Sequence, residues 1–270
     1  MLLSLPAMVV AQASFEVLHS FVGGTGDGAN AFSGLIQGSD GFFYGTTQRG
    51  GAFNAGTVYR MTSSGTVTIL HSFTGGADGG LPSTTLIQGD DGLLYGTALT
   101  NSKGFGAVFS VTTSGTVKVL HSFEGYPTDG AGPYASLVKG RDGNLYGATF
   151  NGGPSNAGTV YRLTPEGSFT ILYAFKGMSD RAGPFAALVQ AADDSFYGTT
   201  RTGAIYKVSP GGAFAVVHQM NAETEGETVD SALALGTDGN LYGTARGGGP
   251  TDRGTVFRVT PGGAVTVLHA

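Results

Sequence analysis

A five-fold repeat constrains this chain more than any other feature of its sequence. The repeat is clearest in a short segment in which Phe or Leu is followed by Tyr, Gly and then Thr or Ala. The tyrosines of this segment are Tyr44, Tyr95, Tyr146, Tyr197 and Tyr242. Successive tyrosines are 51, 51, 51 and 45 residues apart. A period of this length is typical of stacked supersecondary units, each of which buries its apolar side chains against its neighbours.

Two further segments recur with the same period. One reads Thr57-Val58-Tyr59-Arg60 in the first copy and returns from residues 107, 159, 204 and 255. The other reads Val17-Leu18-His19-Ser20-Phe21 and returns around His71, His121, Tyr173, His218 and His269. Three separate segments on one period indicate five copies of a single unit. The histidine segment occurs six times, so one copy of it is surplus.

Each copy is predicted to form four antiparallel strands. In the second copy these strands, A to D, are expected over residues 83–88, 93–98, 107–112 and 116–123. Tight turns at Asp91-Gly92 and Ser114-Gly115 join A to B and C to D, because glycine accepts the positive φ of such turns. No segment has the 3.6-residue periodicity of a helix. Four strands in about fifty residues are typical of a β-propeller blade, so an all-β, five-bladed β-propeller is predicted.

The connections between strands differ in length in a regular way. The A–B and C–D turns are short, whereas the B–C and D–A loops are long, glycine-rich and variable between copies. Antiparallel strands place these two kinds of connection on opposite faces of the molecule. Binding residues concentrate on variable loops that a rigid scaffold holds, so the face with the long loops is the predicted functional face.

Composition and charge exclude several functional classes. The chain has 14 Lys and Arg residues against 19 Asp and Glu residues, which makes nucleic acid an unsuitable partner. It has no cysteine, which excludes disulfides, thiol catalysis and cysteine-ligated zinc. No motif of a zinc protease, a phosphate-binding loop or a nucleophile elbow occurs.

The N-terminal segment is interpreted as an export signal. Residues 2–10 are an apolar run, and Ala11-Gln12-Ala13 fits the small residues of a cleavage site. The basic residues that usually precede such a run are missing, so either the true start lies upstream or residues 1–13 are a degenerate signal peptide. An apolar N-terminal strand is the alternative. The run is too short to span a membrane. The predicted mature chain, residues 14–270, is one propeller domain that is secreted, periplasmic or on the cell surface.

The repeats also resemble a known family. Asp238 to Thr244 and then Gly254 to Gly263 are similar to the GloVer repeat of the choice-of-anchor tandem-repeat proteins, which are exported bacterial proteins. More loosely, the same segments resemble the repeats of NHL-type and virginiamycin-lyase-like propellers. The resemblance implies that strand A lines a central channel and that strand D is outermost. It implies no particular activity.

A carboxylate recurs in the D–A loops. Eight residues before a leucine of strand A, the copies have Asp27, Asp78, Asp129, Asp180 and Glu225. One interpretation is a ring of oxygen ligands, with Asp27, Asp78, Asp129 and Asp180 binding calcium or Asp129 and Asp180 contacting ligand hydroxyl groups. The other is that each carboxylate caps its own turn. The recurring histidines are interpreted as partly buried structural residues. The sequence indicates no cofactor, with calcium as a possible exception.

The most informative residues are those that break the repeat. At the start of strand A the copies have Phe32, Ser83, Tyr134, Phe185 and Asp230. Arg201 and Arg246 follow strand B in the last two copies, beside the acidic loop 221–227. Aromatic rings next to carboxylates and arginines suit carbohydrate, so Arg201, Arg246, Tyr134, Phe185 and Phe32 are predicted to contact a ligand. A degenerate last repeat with a solvated charged loop is the alternative.

The sequence is compatible with three functions. The first is a secreted module that binds a carbohydrate or a cell-surface polymer. The second is a glycoside hydrolase or polysaccharide lyase in which Asp230 works with Glu223, Glu225 or Glu227 as acid and base. The third is a structural surface protein. Self-association through the surplus D-type strand is a further possibility that the sequence raises.

Overall fold

The structure is a computed structural model that describes residues 15–177 and 182–270. This part of the chain is all β, with no helix. The strands, in chain order, are β1 (Gly28–Ala29), β2 (Ile36–Gln37), β3 (Phe43–Thr47), β4 (Arg49–Gly50), β5 (Thr57–Met61), β6 (Val67–Ser72), β7 (Gly80–Pro82), β8 (Ile87–Gln88), β9 (Leu94–Thr100), β10 (Ala107–Val111), β11 (Val117–Ser122), β12 (Gly130–Ala131), β13 (Val138–Lys139), β14 (Leu145–Thr149), β15 (Asn151–Gly152), β16 (Thr159–Leu163), β17 (Phe169–Ala174), β18 (Val189–Gln190), β19 (Phe196–Thr199), β20 (Ala204–Val208), β21 (Phe214–Gln219), β22 (Ala234–Leu235), β23 (Leu241–Ala245), β24 (Thr255–Val259) and β25 (Val265–His269). The predicted signal peptide, residues 1–13, lies outside the described residues. Within residues 15–177 and 182–270, no helix is long and apolar enough to cross a membrane.

The strands form antiparallel sheets, and five of these sheets contain a set of four strands in chain order. We number these sheets first to fifth along the chain and name each by its four strands; the second also carries β7 as a fifth strand. They are β2-β3-β5-β6, β8-β9-β10-β11, β13-β14-β16-β17, β18-β19-β20-β21 and β22-β23-β24-β25. Within each sheet the strands correspond to the predicted A, B, C and D. The prediction of repeated four-stranded antiparallel units is confirmed.

Two additional small sheets join the long loops of a unit to each other. The D–A loop pairs with the B–C loop through β1 with β4 and through β12 with β15. The same connection appears as β7 on β9 and as the bridges Pro184–Thr200 and Glu227–Gly247. The long loops therefore meet on one side of the sheets, which we call the long-loop face. A hollow on the other side is lined by residues of the short A–B and C–D turns, including Asp91, Asp142 and Glu166.

Each tight A–B turn is held by its aspartate and by the tyrosine of the following strand. In the first sheet Asp40 accepts the backbone N–H of Phe42 at 3.2 Å and the hydroxyl of Tyr44 at 2.6 Å. Gly41 supplies the positive φ of +85° that the turn requires. Burial and the hydrogen bond to Asp40 raise the pKa of Tyr44 to about 12. The recurring Asp-Gly and Tyr-Gly segments thus stabilise the same turn, through the hydrogen bond between the tyrosine and the aspartate.

The hydrophobic core lies between successive sheets. Strand C of each of the first four sheets has a valine or isoleucine on the face that packs against the next sheet. These residues are Val58, Val108, Val160 and Ile205, and each is completely buried. Leucines of strand A cover the opposite face, and Leu86 packs against Val58 and Phe73 of the preceding sheet. Such close-packed contacts between neighbours are the physical basis of a repeat fold.

The outer faces of the first and last sheets in this row are less covered than the faces between sheets. Val256 in the fifth sheet is 40% exposed, although its four counterparts have no exposed surface. Leu35 in the first sheet is 45% exposed, whereas Leu86, Leu137, Leu188 and Leu233 are at most 5% exposed. Among the described residues, the outer faces of the first and fifth sheets are therefore less covered at these positions than the faces between sheets.

The surplus D-type segment, residues 15–21, lies on the first sheet. Its Phe21 ring meets Tyr59 edge to face at 5.0 Å, as Phe73 meets Phe109 one unit later. The carbonyl of Leu18 contacts Gly65 so closely that no side chain would fit there, and Leu70 and Gly115 repeat that contact. The segment thus takes the place of a strand D from a preceding unit. The fifth sheet has its own strand D, because β25 pairs with β24.

Candidate functional site

A partly exposed aromatic cluster lies on the long-loop face. Tyr134 is 44% exposed and stacks on Phe185, with ring centroids 5.5 Å apart and planes 23° apart. Phe150 approaches both rings edge-on, at 6.0 Å from Tyr134 and 5.9 Å from Phe185. The guanidinium of Arg201 lies 6.0 Å from the centroid of the Phe185 ring. The third and fourth units thus build one apolar platform with a cation at its edge.

Asp230 adds a carboxylate next to this platform. Its Oδ1 is 3.9 Å from Nε of Arg201, and its Oδ2 is 3.7 Å from Nη1 of Arg246. Both distances exceed that of a hydrogen bond, and Oδ1 is buried without a hydrogen-bond partner. Arg246 is 71% exposed, so its remaining donors face solvent. The group therefore combines a carboxylate with unused acceptor capacity and guanidinium groups with unused donors.

The repeat backbone places these side chains. Two residues before each strand-A position, the chain adopts a left-handed conformation, with φ of +65° at Gly132, +81° at Gly183 and +56° at Thr228. The N–H of Arg201 donates to the carbonyl of Gly183 at 3.1 Å, and that of Arg246 donates to the carbonyl of Thr228 at the same distance. The backbone therefore holds Asp230 as it holds Phe185. In the fifth unit the strained left-handed position, two residues earlier, is occupied by the β-branched Thr228.

The recurring loop carboxylates are paired with the recurring histidines. Nε2 of His71 is 3.1 Å from Asp78, and Nε2 of His121 is 2.8 Å from Asp129. Nε2 of His218 is 2.7 Å from Glu225. The first of these carboxylates, Asp27, lies 3.4 Å from Nε2 of His19 in the same way.

The same carboxylates also cap their own turns. Asp129, only 8% exposed, accepts the N–H groups of Glu124 at 2.6 Å and Gly125 at 3.1 Å. For Asp27, burial alone would raise the pKa, but hydrogen bonds from the backbone N–H groups of Val22 and Gly28, together with the nearby His19, outweigh it and lower the pKa. These groups stabilise the loops, and none of the four faces the aromatic cluster through a described contact.

The remaining predicted residues are dispersed. Glu223 and Glu227 line a separate hollow of about 380 Å³ with Asp252. Glu225 is bonded to His218 and to the N–H of Asn221, so it is not free to work with Asp230. Phe32 is 71% exposed on the first unit, and Asp180 lies outside the described residues. Within the described ranges, no group of three or more His, Asp or Glu side chains could hold a metal ion.

Two features of the site escaped the sequence analysis. Phe150 occupies the position after strand B, the same repeat position as Arg201 and Arg246, so aligning that column would have revealed it. The pairing of histidine with carboxylate could have been found from their constant separation of seven or eight residues. Neither signal stands out in a single copy.

These features define a class of protein. Solved structures with this arrangement of repeated four-stranded sheets are β-propeller proteins, including virginiamycin B lyase-like propellers. Residues 7–204 match the Gloeobacter/Verrucomicrobia repeat. The chain belongs to this repeat family, in agreement with the resemblance seen in its sequence. No curated protein sequence matches it.

Similarity to individual solved structures is at the level of the fold. Virginiamycin B lyase from Staphylococcus aureus has 15% identity and a TM-score of 0.60, over 89% of this chain and 70% of that one. A putative 6-phosphogluconolactonase from Bacteroides uniformis has 19% identity and a TM-score of 0.59, over 90% and 72%. The GH74 enzyme of Niastella koreensis has 18% identity and a TM-score of 0.58, over 91% and 38%. Identities this low carry no activity to this chain.

Proposed function

We propose that the five sheets are blades of a β-propeller that works outside the cytoplasm and binds carbohydrate on its long-loop face. The observation that supports this most directly is the stacked pair of exposed Tyr134 and half-buried Phe185, with Arg201 between Phe185 and the carboxylate of Asp230. Sugar rings present apolar C–H faces that pack on aromatic rings, and their hydroxyl groups need hydrogen-bond partners at the ring edge. The described cluster offers both within one surface.

The charges suggest which sugars to test first. Arg201 and Arg246 face a single carboxylate, which leaves an excess positive charge at the platform. Arginine binds carboxylate groups through paired, charge-assisted hydrogen bonds. Oligosaccharides that contain uronic acids are therefore expected to bind more tightly than their neutral counterparts, and more weakly as salt is added.

The test is binding of a panel of neutral and acidic oligosaccharides, measured by calorimetry and checked for turnover. Tyr134→Ala is expected to weaken binding about tenfold, equivalent to about 1.4 kcal/mol. Asp230→Asn keeps the shape of the side chain and is expected to weaken binding of neutral sugars. Phe32→Ala is the matched control, because it removes an exposed aromatic ring from the same repeat position in another unit.

The outcomes separate the candidate functions. Binding without cleavage that depends on Tyr134 and not on Phe32 supports a binding module. Cleavage that is lost in Asp230→Asn, with the fold intact, would establish the hydrolase or lyase instead. Equal loss in the Tyr134 and Phe32 variants would contradict a site confined to the third to fifth units. No binding to any panel member would favour a structural surface protein.

A further inference from the structure

A hollow lies at the edge of the apolar platform, between the third and fourth units; we call it the platform hollow. Its volume is about 240 Å³, and both Phe150 of the platform and Arg201 at the platform's edge belong to its lining. Ala157 and Gly183, which are buried, line it as well, whereas the lining residue Asn156 is exposed. The hollow therefore has small, apolar residues in its buried part and polar side chains at its exposed edge.

Small residues at two repeat positions leave this space open. At three junctions between units, the backbone N–H of a D–A loop donates to a carbonyl of the preceding B–C loop. These pairs are Leu81 with Ala55 at 2.7 Å, Gly132 with Phe105 at 3.0 Å and Gly183 with Ala157 at 3.0 Å. The first two pairs each contain one large apolar residue, and Phe105 packs against the core between the second and third sheets. At the junction of the third and fourth units the pair is glycine and alanine, which together bring only one methyl group.

The glycine of this pair also fixes where Phe150 lies. A Cβ at Gly183 would be only 3.0 Å from the Phe150 ring, so a side chain there would push the ring aside. With glycine, the ring lies against the backbone, lines the platform hollow and meets Tyr134 edge-on at 6.0 Å. A sugar ring that packs on Tyr134 therefore has its substituents next to the hollow.

Given the carbohydrate-binding function proposed above, on which this inference rests, we propose that the platform hollow takes the acetamido group of an N-acetylated sugar. The methyl end of that group is apolar and is removed from water against Phe150 and Ala157. Its carbonyl oxygen needs a hydrogen-bond donor. Oδ1 of Asn156 already accepts the N–H of Gly152 at 2.9 Å, so Asn156 offers its amide N–H groups, and Arg201 offers its guanidinium.

The test compares cellotetraose with its N-acetylated counterpart, chitotetraose, by calorimetry on the full chain. Both are uncharged and have the same length and linkage, and they differ only in carrying a hydroxyl or an acetamido group at C2. The parent chain is expected to bind the acetylated tetramer about tenfold more tightly, because one buried methyl group and one hydrogen bond are gained.

Two variants fill the hollow from different sides. Ala157→Phe introduces the residue that the second unit has at this repeat position, and Ala182→Leu enlarges a half-buried alanine of the lining. Each is expected to bind the two tetramers with similar affinity. Ala29→Leu makes the second substitution at the same repeat position of the first unit, where it is half-buried too, and is the control that keeps the tenfold preference. Circular dichroism identifies a variant that does not fold, and the other variant then gives the result.

The outcomes distinguish this inference from the function on which it rests. A parent chain that binds both tetramers equally, or binds only oligosaccharides of uronic acids, overturns the acetamido site and leaves carbohydrate binding in place. A preference that survives in the filled variants, or is lost in Ala29→Leu, shows that the acetyl group is recognised elsewhere and also overturns it. Absence of binding to every saccharide overturns both proposals.

Discussion

The open face of the fifth sheet can be tested through stability, by making one substitution at two equivalent positions. Val108 and Val256 occupy the same place in strand C of the second and fifth sheets. Val108 is completely buried against the third sheet, whereas Val256 is 40% exposed. Replacing each by alanine removes the same atoms from two environments that differ mainly in what covers them.

The expected losses follow from burial. Two buried carbon groups contribute about 1.6 kcal/mol at about 0.8 kcal/mol each. The cavity left at Val108 adds about 1 kcal/mol, because close-packed neighbours relax only in part. Val108→Ala is therefore expected to lower the free energy of unfolding by about 2–3 kcal/mol. At Val256 about three fifths of the surface is buried and no enclosed cavity forms, so about 1 kcal/mol is expected.

The assay is urea unfolding at a concentration where the parent chain is monomeric. Fluorescence from tyrosine and far-ultraviolet circular dichroism should give the same midpoint for each variant, so that the free energies can be compared. A gap of at least about 1 kcal/mol between the two variants is expected from the burial argument. Equal losses would refute the reasoning, because they would mean that another sheet covers Val256 in solution.

Three other predictions concern single residues. The pKa values of Tyr44 and Tyr197 are raised to about 12 in the folded chain, whereas an unfolded tyrosine ionises near its ordinary pKa of 10. The free energy of unfolding, measured by urea titration, is therefore expected to be constant below pH 10 and to fall between pH 10 and 12. A flat profile to pH 12 would contradict this. Thr228→Gly is expected to raise the free energy of unfolding by about 1 kcal/mol, because glycine adopts the left-handed backbone without strain. A lower stability of this variant in thermal unfolding would show that the position is not strained. Asp129→Ala is expected to lower the free energy of unfolding by about 2 kcal/mol, because the N–H groups of Glu124 and Gly125 lose their acceptor. If calcium stabilises the parent chain and this variant abolishes that effect, Asp129 belongs to a metal site instead.

Much of the candidate site could be predicted from its repeat positions. Tyr134, Phe185 and Asp230 share one position, and Arg201 and Arg246 share another, so the sequence predicted that they gather on one face. The structure brings these five together. Glu225 shows the limit of the method, because its pairing with His218 depends on how a loop folds back on its own strand. From the sequence it was indistinguishable from a free carboxylate.

The sequence by itself determined the repeated unit, its four antiparallel strands and the residues that hold each tight turn. These features depend on contacts within a unit or between adjacent units, which every copy of the repeat encodes again. Only the tertiary structure decided that Leu35 and Val256 remain uncovered and that residues 15–21 lie on the first sheet. The reason is that Leu35 and Val256 match their counterparts in sequence, whereas their exposure depends on where neighbouring parts of the chain lie, which no single repeat records.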